Sequence, residues 1–412
     1  MFAACPRRAG IITAQIKLFI GCLLWLAGCL SSGQEPAVAQ APPPILFDQW
    51  SKVSESEDAI EYILSFPSAF RSAFPENDTV SLRIIMPAAV QGPVPSVVLL
   101  HYLGASDLKI ERSIAGHLAQ NGIASVIMAL PYHLGRTPPG RASGELAIQA
   151  DPKKLIATMT QSVWDVRRTL DWIQTRPELD VNRIGIGGTS LGAMVATLSY
   201  ALDPRIQLAS FMLAGADLAH ILWNSSRVVT QRDTLRSLGY TESRLREALK
   251  EIEPLEYLGK RSPGKTFVVG ARYDTVIPPV DTHKLIVGLG SPKVLWLDTG
   301  HYGGAFVQGK LLRSVASFFI EEFAGRSYIP PRRIYAPTIR VGIDANTVTG
   351  LQVGVGLDLL RFDSTGSAFG SLIFTPRGAQ VFLGKRIDRG FALGLTFTSR
   401  GLSPGAFWSA VL

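Results

Sequence analysis

Between about residues 47 and 325, short runs rich in Val, Ile and Leu alternate with segments of helical periodicity. After about residue 335 the apolar period shortens to two. A charged helical stretch, residues 217–260, interrupts the first pattern. These observations predict an α/β chain: a mostly parallel sheet with helices on both faces, a helical insertion, and a C-terminal all-β antiparallel segment.

The chain begins with Arg7, Arg8 and Lys17 ahead of the apolar run LFIGCLLWLAGC, the pattern of a secretory signal. The run ends in Leu26-Ala27-Gly28-Cys29, which resembles a lipoprotein cleavage box, and it predicts a signal peptide over 1–28 with lipidation at Cys29. Acyl chains there would hold the protein on a bilayer, because two lipid signals anchor stably where one is marginal. No Asp follows Cys29, so the expected address is the bacterial envelope at the outer membrane. Residues 29–46 are small and Pro-rich and predict a flexible tether.

The α/β domain is expected over 47–335. Its strand candidates are TVSLRIIMPA, SVVLLHYL, IASVIMAL, VNRIGIGG, QLASFML, KTFVVG and KVLWLD, apolar as strands covered on both faces should be. Helical periodicity marks ERSIAGHLAQNG, Met159 to Gln174, Leu191 to Leu202, VDTHKLIVGL and GKLLRSVASFFIEEF. The stretch 217–260 reads as an insertion over the sheet edge and a candidate lid. Over 336–412, runs such as TIRVGIDA and FALGLTFTS, separated by turn residues, predict an antiparallel module of about five or six strands. Two uses compete for it: a small β domain packed on the core, or membrane-facing hairpins. A membrane barrel from one chain takes about eight strands, so the module is expected to be soluble.

Composition narrows the function classes. The formal charge is +8, of which three charges lie in the leader, and no continuous basic tract points to nucleic acid. All three cysteines, Cys5, Cys22 and Cys29, precede the predicted mature chain, which excludes disulfides, a thiol nucleophile and cysteine zinc sites from it. There is no His-Glu-x-x-His and no P-loop spacing. No cofactor and no metal are expected.

Residues 183–194 read RIGIGGTSLGAM. A serine between two glycines, after a strand and before a helix, suits a sharp turn that lifts the hydroxyl above the sheet. Ser190 is therefore the candidate nucleophile. Its proton needs a base with a pKa near neutrality, and His301, in the loop after KVLWL, is the candidate. His117 and His283 lie within helices and His220 starts the insertion. Asp274, after the preceding strand, is the candidate to orient His301, with Asp281 and Asp298 as competitors. The developing oxyanion needs main-chain donors: the N–H of Leu191, and the N–H of Leu103 in the loop His101-Tyr102-Leu103-Gly104, with Tyr102 as the competing donor.

The order Ser190, Asp274, His301 on these flanks resembles the α/β-hydrolase superfamily, nearest to its dienelactone-hydrolase-like and acetyl-esterase-like branches, over about residues 75–325. Tyr102 stands where many members have the first glycine of the oxyanion loop. The segment LPYHLGRTPPG is similar to a family segment near the active-site rim. By that likeness Tyr102, His133 and Arg136 are possible rim residues, while the plainer reading has His133 and Arg136 fixing a loop. The resemblance implies a serine esterase acting through an acyl-enzyme on a small-molecule or envelope-associated ester. A thioesterase, a peptidase or a catalytically silent envelope protein would use the same scaffold.

Overall fold

The computed structural model describes residues 35–43, 49–261, 264–332, 334, 336–362, 367–388 and 390–411. The predicted signal peptide and Cys29 lie outside these residues. Residues 1–40 form one unit, whose described part holds a single 3-10 turn, Ala37–Ala39. Among the described residues no helix is long and apolar enough to cross a membrane. Residues 41–412 form the second unit.

Its main sheet has nine strands: β1 (Ser51–Glu55), β2 (Ala59–Pro67), β3 (Thr79–Pro87), β4 (Val94–Leu100), β5 (Ala124–Met128), β6 (Leu179–Thr189), β7 (Leu208–Met212), β8 (Lys265–Ala271) and β9 (Lys293–Leu297). The spatial order is β1-β2-β3-β5-β4-β6-β7-β8-β9. From β5 to β9 every pairing is parallel, whereas β1, β2 and β3 add an antiparallel margin. All seven expected strands form. Fully buried runs such as Val94–Leu100 explain why they read as unbroken apolar segments. The β1–β2 hairpin escaped prediction because β1 is exposed along its whole length and carries no apolar alternation.

Helices α1 (Lys109–Ala119), α2 (Pro152–Gln174), α3 (Leu191–Leu202), α8 (Pro279–Leu289) and α9 (Gln308–Phe323) match the expected segments. Between β7 and β8 run α4 (Leu218–Asn224), α5 (Val229–Ser237), α6 (Glu242–Leu249) and α7 (Leu255–Leu258). This corrects the expectation of an insertion over the sheet edge. β7 and β8 are adjacent and parallel, so the helical segment is itself their crossover, lengthened.

The C-terminal strands are β10 (Thr338–Asn346), β11 (Gly350–Arg361), β12 (Ala368–Thr375), β13 (Gly378–Asp388), β14 (Phe391–Thr398) and β15 (Gly401–Val411). They form an antiparallel closed barrel, with β15 returning to pair with β10. Glycines let neighbouring strands of the wall approach closely. A Cβ at Gly342 would collide with the Trp408 carbonyl, and one at Gly394 with the Leu383 carbonyl. Inside, Phe369, Phe382 and Phe407 pack together, and Arg340 pairs with Asp358 at 2.8 Å.

Candidate active site

Sites in open α/β sheets lie beyond the carboxyl ends of the strands, and backbone strain collects there in this chain. Among the described residues, the non-glycine residues with positive φ are Tyr132, Leu134, Ser190, Leu213 and Asp217, in the loops after β5, β6 and β7. Ser190 has φ 53° and ψ −115°, between the end of β6 and the start of α3. The turn is fastened by the Ser190 N–H, which donates to the Met212 carbonyl at 2.8 Å. Two glycines permit it. A Cβ on Gly188 would run into the Gly192 backbone, and a Cβ on Gly192 into the carbonyls of Leu100 and His101.

Ser190, His301 and Asp274 meet although they lie on three loops. Oγ of Ser190 is 3.1 Å from Nε2 of His301, and Nδ1 of His301 is 2.7 Å from Oδ2 of Asp274. The other Asp274 oxygen accepts the N–H groups of Val276 and Ile277, both at 2.8 Å. An acceptor-only carboxylate requires the proton on Nδ1, which leaves Nε2 free to accept from the serine hydroxyl. The competitors are engaged elsewhere: Asp281 accepts from His220 at 2.8 Å and Lys284 at 3.0 Å, and Asp298 pairs with Arg272 at 2.9 Å.

The main-chain donors follow from strand pairing. Leu100 of β4 pairs with Gly188 of β6, so the loop after β4 lies beside the serine turn. As the first residue of α3, Leu191 has an N–H with no acceptor inside the helix. Tyr102 and Leu103 both line the cavity at the serine. The Gly104 N–H is occupied, donating to Nε2 of His133 at 3.0 Å.

Of the two readings offered for His133 and Arg136, their positions fit loop support and not the rim. Both are fully buried, and neither lines the cavity. Arg136 lies 2.9 Å from the Asp165 carboxylate and donates to the carbonyls of Asn77 and Ala129. His101, also buried, accepts the Leu130 N–H on Nε2 at 3.0 Å and donates from Nδ1 to the Tyr102 carbonyl at 2.9 Å. His133 repeats the arrangement, with Nδ1 donating to the Pro131 carbonyl at 2.8 Å. Burial holds the His101 pKa down to about 3, with His133 and Arg136 adding to it. Burial, with Arg136 nearby, lowers His133 to about 4.

The serine opens on a cavity of about 630 Å³. Its wall includes Leu155 and Met159 of α2 and Leu218, Ile221 and Leu222 of α4, with Arg227 and Lys109 among its few charges. α4 belongs to the stretch 217–260 read from sequence as a candidate lid, and its buried face forms part of the cavity wall.

Residues 34–215 match the family model described as alpha/beta hydrolase domain containing 18. An uncharacterized protein of Mycobacterium tuberculosis (strain ATCC 25618 / H37Rv) is 27% identical over 235 residues, which is 56% of this chain and 54% of that protein. The chain thus spans about half the length of the curated relatives it matches. Among solved structures, an acetyl xylan esterase from Paenibacillus sp. R4 is similar at TM-score 0.53 and 20% identity, over 66% of this chain and 88% of that one. Acetyl xylan esterase 1 from Thermoanaerobacterium sp. JW/SL YS485 aligns at TM-score 0.46 and 16% identity, over 64% and 86%. Residues 34–215 are thus similar to an alpha/beta-hydrolase family model, and the first of these solved structures is similar to the chain in fold.

The two buried imidazoles predict an acid-labile loop after β4. Their folded pKa values lie below the value of about 6.5 for a free imidazole. Their stabilisation is therefore complete above about pH 6.5 and is lost as pH falls towards 4 for His133 and 3 for His101. For His133 the loss is on the order of 3 kcal/mol at 1.36 kcal/mol per pKa unit. Urea midpoints measured from pH 7.5 to 4 should fall less steeply for His133→Asn than for the parent; equal slopes would refute the assignment.

Proposed function

We propose that this protein is a serine esterase that cleaves carboxylic esters with apolar acyl groups through an acyl-enzyme, at the bacterial cell envelope. The observation that carries the reading is the continuous hydrogen-bond chain from Asp274 through His301 to Ser190, at the mouth of an apolar cavity.

In this mechanism His301 Nε2 takes the Ser190 proton as Oγ attacks the acyl carbon. The carbonyl oxygen gains negative charge opposite the main-chain N–H groups of Leu191 and Leu103. The C–O bond to the alcohol breaks, and His301 returns the proton to the leaving oxygen. Water then attacks the acyl-enzyme, with His301 again the base, and releases the acid and Ser190. Asp274 holds the imidazole in the required tautomer and stabilises its cation. The apolar wall favours an acyl chain over a charged or peptidic group, and the basic leader with Cys29 supports the envelope address.

A fluorophosphonate probe should label Ser190 of the parent and leave Ser190→Ala unlabelled, with labelling strongly reduced in His301→Ala. Asp274→Asn should lower kcat by about 10³–10⁴-fold. A folded parent that stays unlabelled sinks the mechanism.

Acyl length tests the pocket separately. At about 0.8 kcal/mol per buried CH₂, kcat/KM on p-nitrophenyl esters should rise by up to about fourfold per methylene until the cavity fills. A profile that falls from acetate onward would assign the cavity to the alcohol instead.

Cells fed labelled palmitate should yield labelled parent and unlabelled Cys29→Ala. An unlabelled parent would remove the lipid anchor.

A further inference from the structure

Around an inner cluster of Phe369, Ile373, Phe382, Ala392 and Phe407, the C-terminal barrel has its polarity reversed. On β10 the inward positions are Thr338, Arg340, Asp344 and Asn346, while Ile339, Val341 and Ile343 face out. On β11 Gln352 and Asp358 are buried, whereas Leu351 and Val353 are 71% and 64% exposed. On β14 Thr396 points in, and Phe391, Leu393, Leu395 and Phe397 point out. β15 buries Ser403 and Ser409 and exposes Leu402 and Trp408. Water-soluble barrels sort residues the other way.

We infer that this barrel is a bilayer-inserted module whose outer wall faces lipid acyl chains. Four observations select lipid over a second copy of the chain. First, the apolar wall occupies all six strands, so a partner protein would cover only a sector, whereas a bilayer surrounds the whole circumference. Second, the barrel is closed, which leaves no unpaired strand edge, the condition for β structure in hydrocarbon. Third, the strands run 8 to 12 residues, bracketing the roughly 9–11 that cross a bilayer when tilted.

The fourth observation is the distribution of aromatic and charged groups. Phe362, Phe391 and Trp408 stand outward towards the end that carries the hydrolase domain, and Phe374 and Phe397 towards the opposite end, as interfacial girdles do. Arg377 and Arg400 lie in the far turns and Lys385 near the hydrolase end. Between them the outward positions carry no charge. The interior is filled by phenylalanines and the Arg340–Asp358 pair, so the barrel is an anchor and not a channel. This anchor is independent of lipidation at Cys29 and of the esterase reading. It runs against the expectation of a soluble module, which rested on strand count; the closed ladder and the outward apolar wall are the observations set against that count.

The test uses the full chain with Cys5, Cys22 and Cys29 replaced by Ser and one new cysteine per variant: Ile343→Cys, Val353→Cys or Leu395→Cys on three barrel strands, and Val287→Cys on exposed α8 as the aqueous reference. Each is labelled with bimane, checked for the parent's circular dichroism, and reconstituted into phosphatidylethanolamine–phosphatidylglycerol vesicles with plain or brominated acyl chains. Barrel positions should lose at least about half their fluorescence to brominated lipid and resist iodide, with position 287 showing the reverse. Barrel positions quenched by iodide and indifferent to brominated lipid would overturn the inference, even if the leader holds the chain on the vesicle. Positions shielded from both quenchers in a chain that cross-links as a dimer would overturn it in favour of a second copy. Three positions on separate strands keep the outcome readable if one substitution disturbs folding.

Discussion

The site rests on one backbone constraint: the parallel pairing of β4 with β6 in a register that sets Leu100 against Gly188. The pairing ends both strands at the same level, so the chain leaving β4 and the turn leaving β6 compete for one small volume. Only residues without a Cβ fit at Gly188 and Gly192. Ser190 is forced to positive φ by that crowding, and its hydroxyl is directed away from the sheet as a result. The serine and the loop holding Tyr102 and Leu103 are thus brought together by main-chain geometry, before any side chain acts.

Loops so crowded need support from behind, and in this chain it is polar and buried. His101 and His133 each accept a backbone N–H and donate to a backbone carbonyl, which fixes both tautomers and ties the loop after β4 to the loop after β5. Arg136 extends the support to Asn77 and Asp165, and Asp165 accepts a hydrogen bond from Ser68 at 2.7 Å. Such a network contributes little net stability but is costly to break, because each partner would be left buried and unpaired. Its use is positional.

Much of this was legible in the sequence, for physical reasons. Doubly buried strands declare themselves as apolar runs, and the glycines around Ser190 declare a tight turn. Asp274 and His301 could be picked out because each follows a strand, and strand ends are where loops converge. Other features were hidden because they depend on register or on which face a residue takes. Exposed β1 carries no pattern. For His133 and Arg136 the sequence left rim and loop support open, and only the fold decides between them. The strands over 336–412 could be counted, but closure requires β15 to find β10 across the intervening hairpins, and alternation alone does not say which set of residues faces inward.

That last ambiguity bears on how the two modules are joined. The hydrolase sheet keeps its apolar residues inside, whereas the barrel presents most of its own outside, around an inner phenylalanine cluster. The junction is polar. Thr338 donates to the Asp298 carbonyl at 3.1 Å, Thr299 to the Pro337 carbonyl at 2.6 Å, and Arg361 reaches both Asp298 and the Tyr273 hydroxyl. Thr275 donates to the Val411 carbonyl at 3.4 Å. Tyr273 and Thr275 flank Asp274, while Asp298 and Thr299 lead into His301. The barrel rim is therefore fastened to the two loops that carry Asp274 and His301 beside Ser190. Under the proposed bilayer insertion, an anchor fixed elsewhere would only localise the domain, whereas one fixed here would also bear on the loops that hold the His301 imidazole beside Ser190.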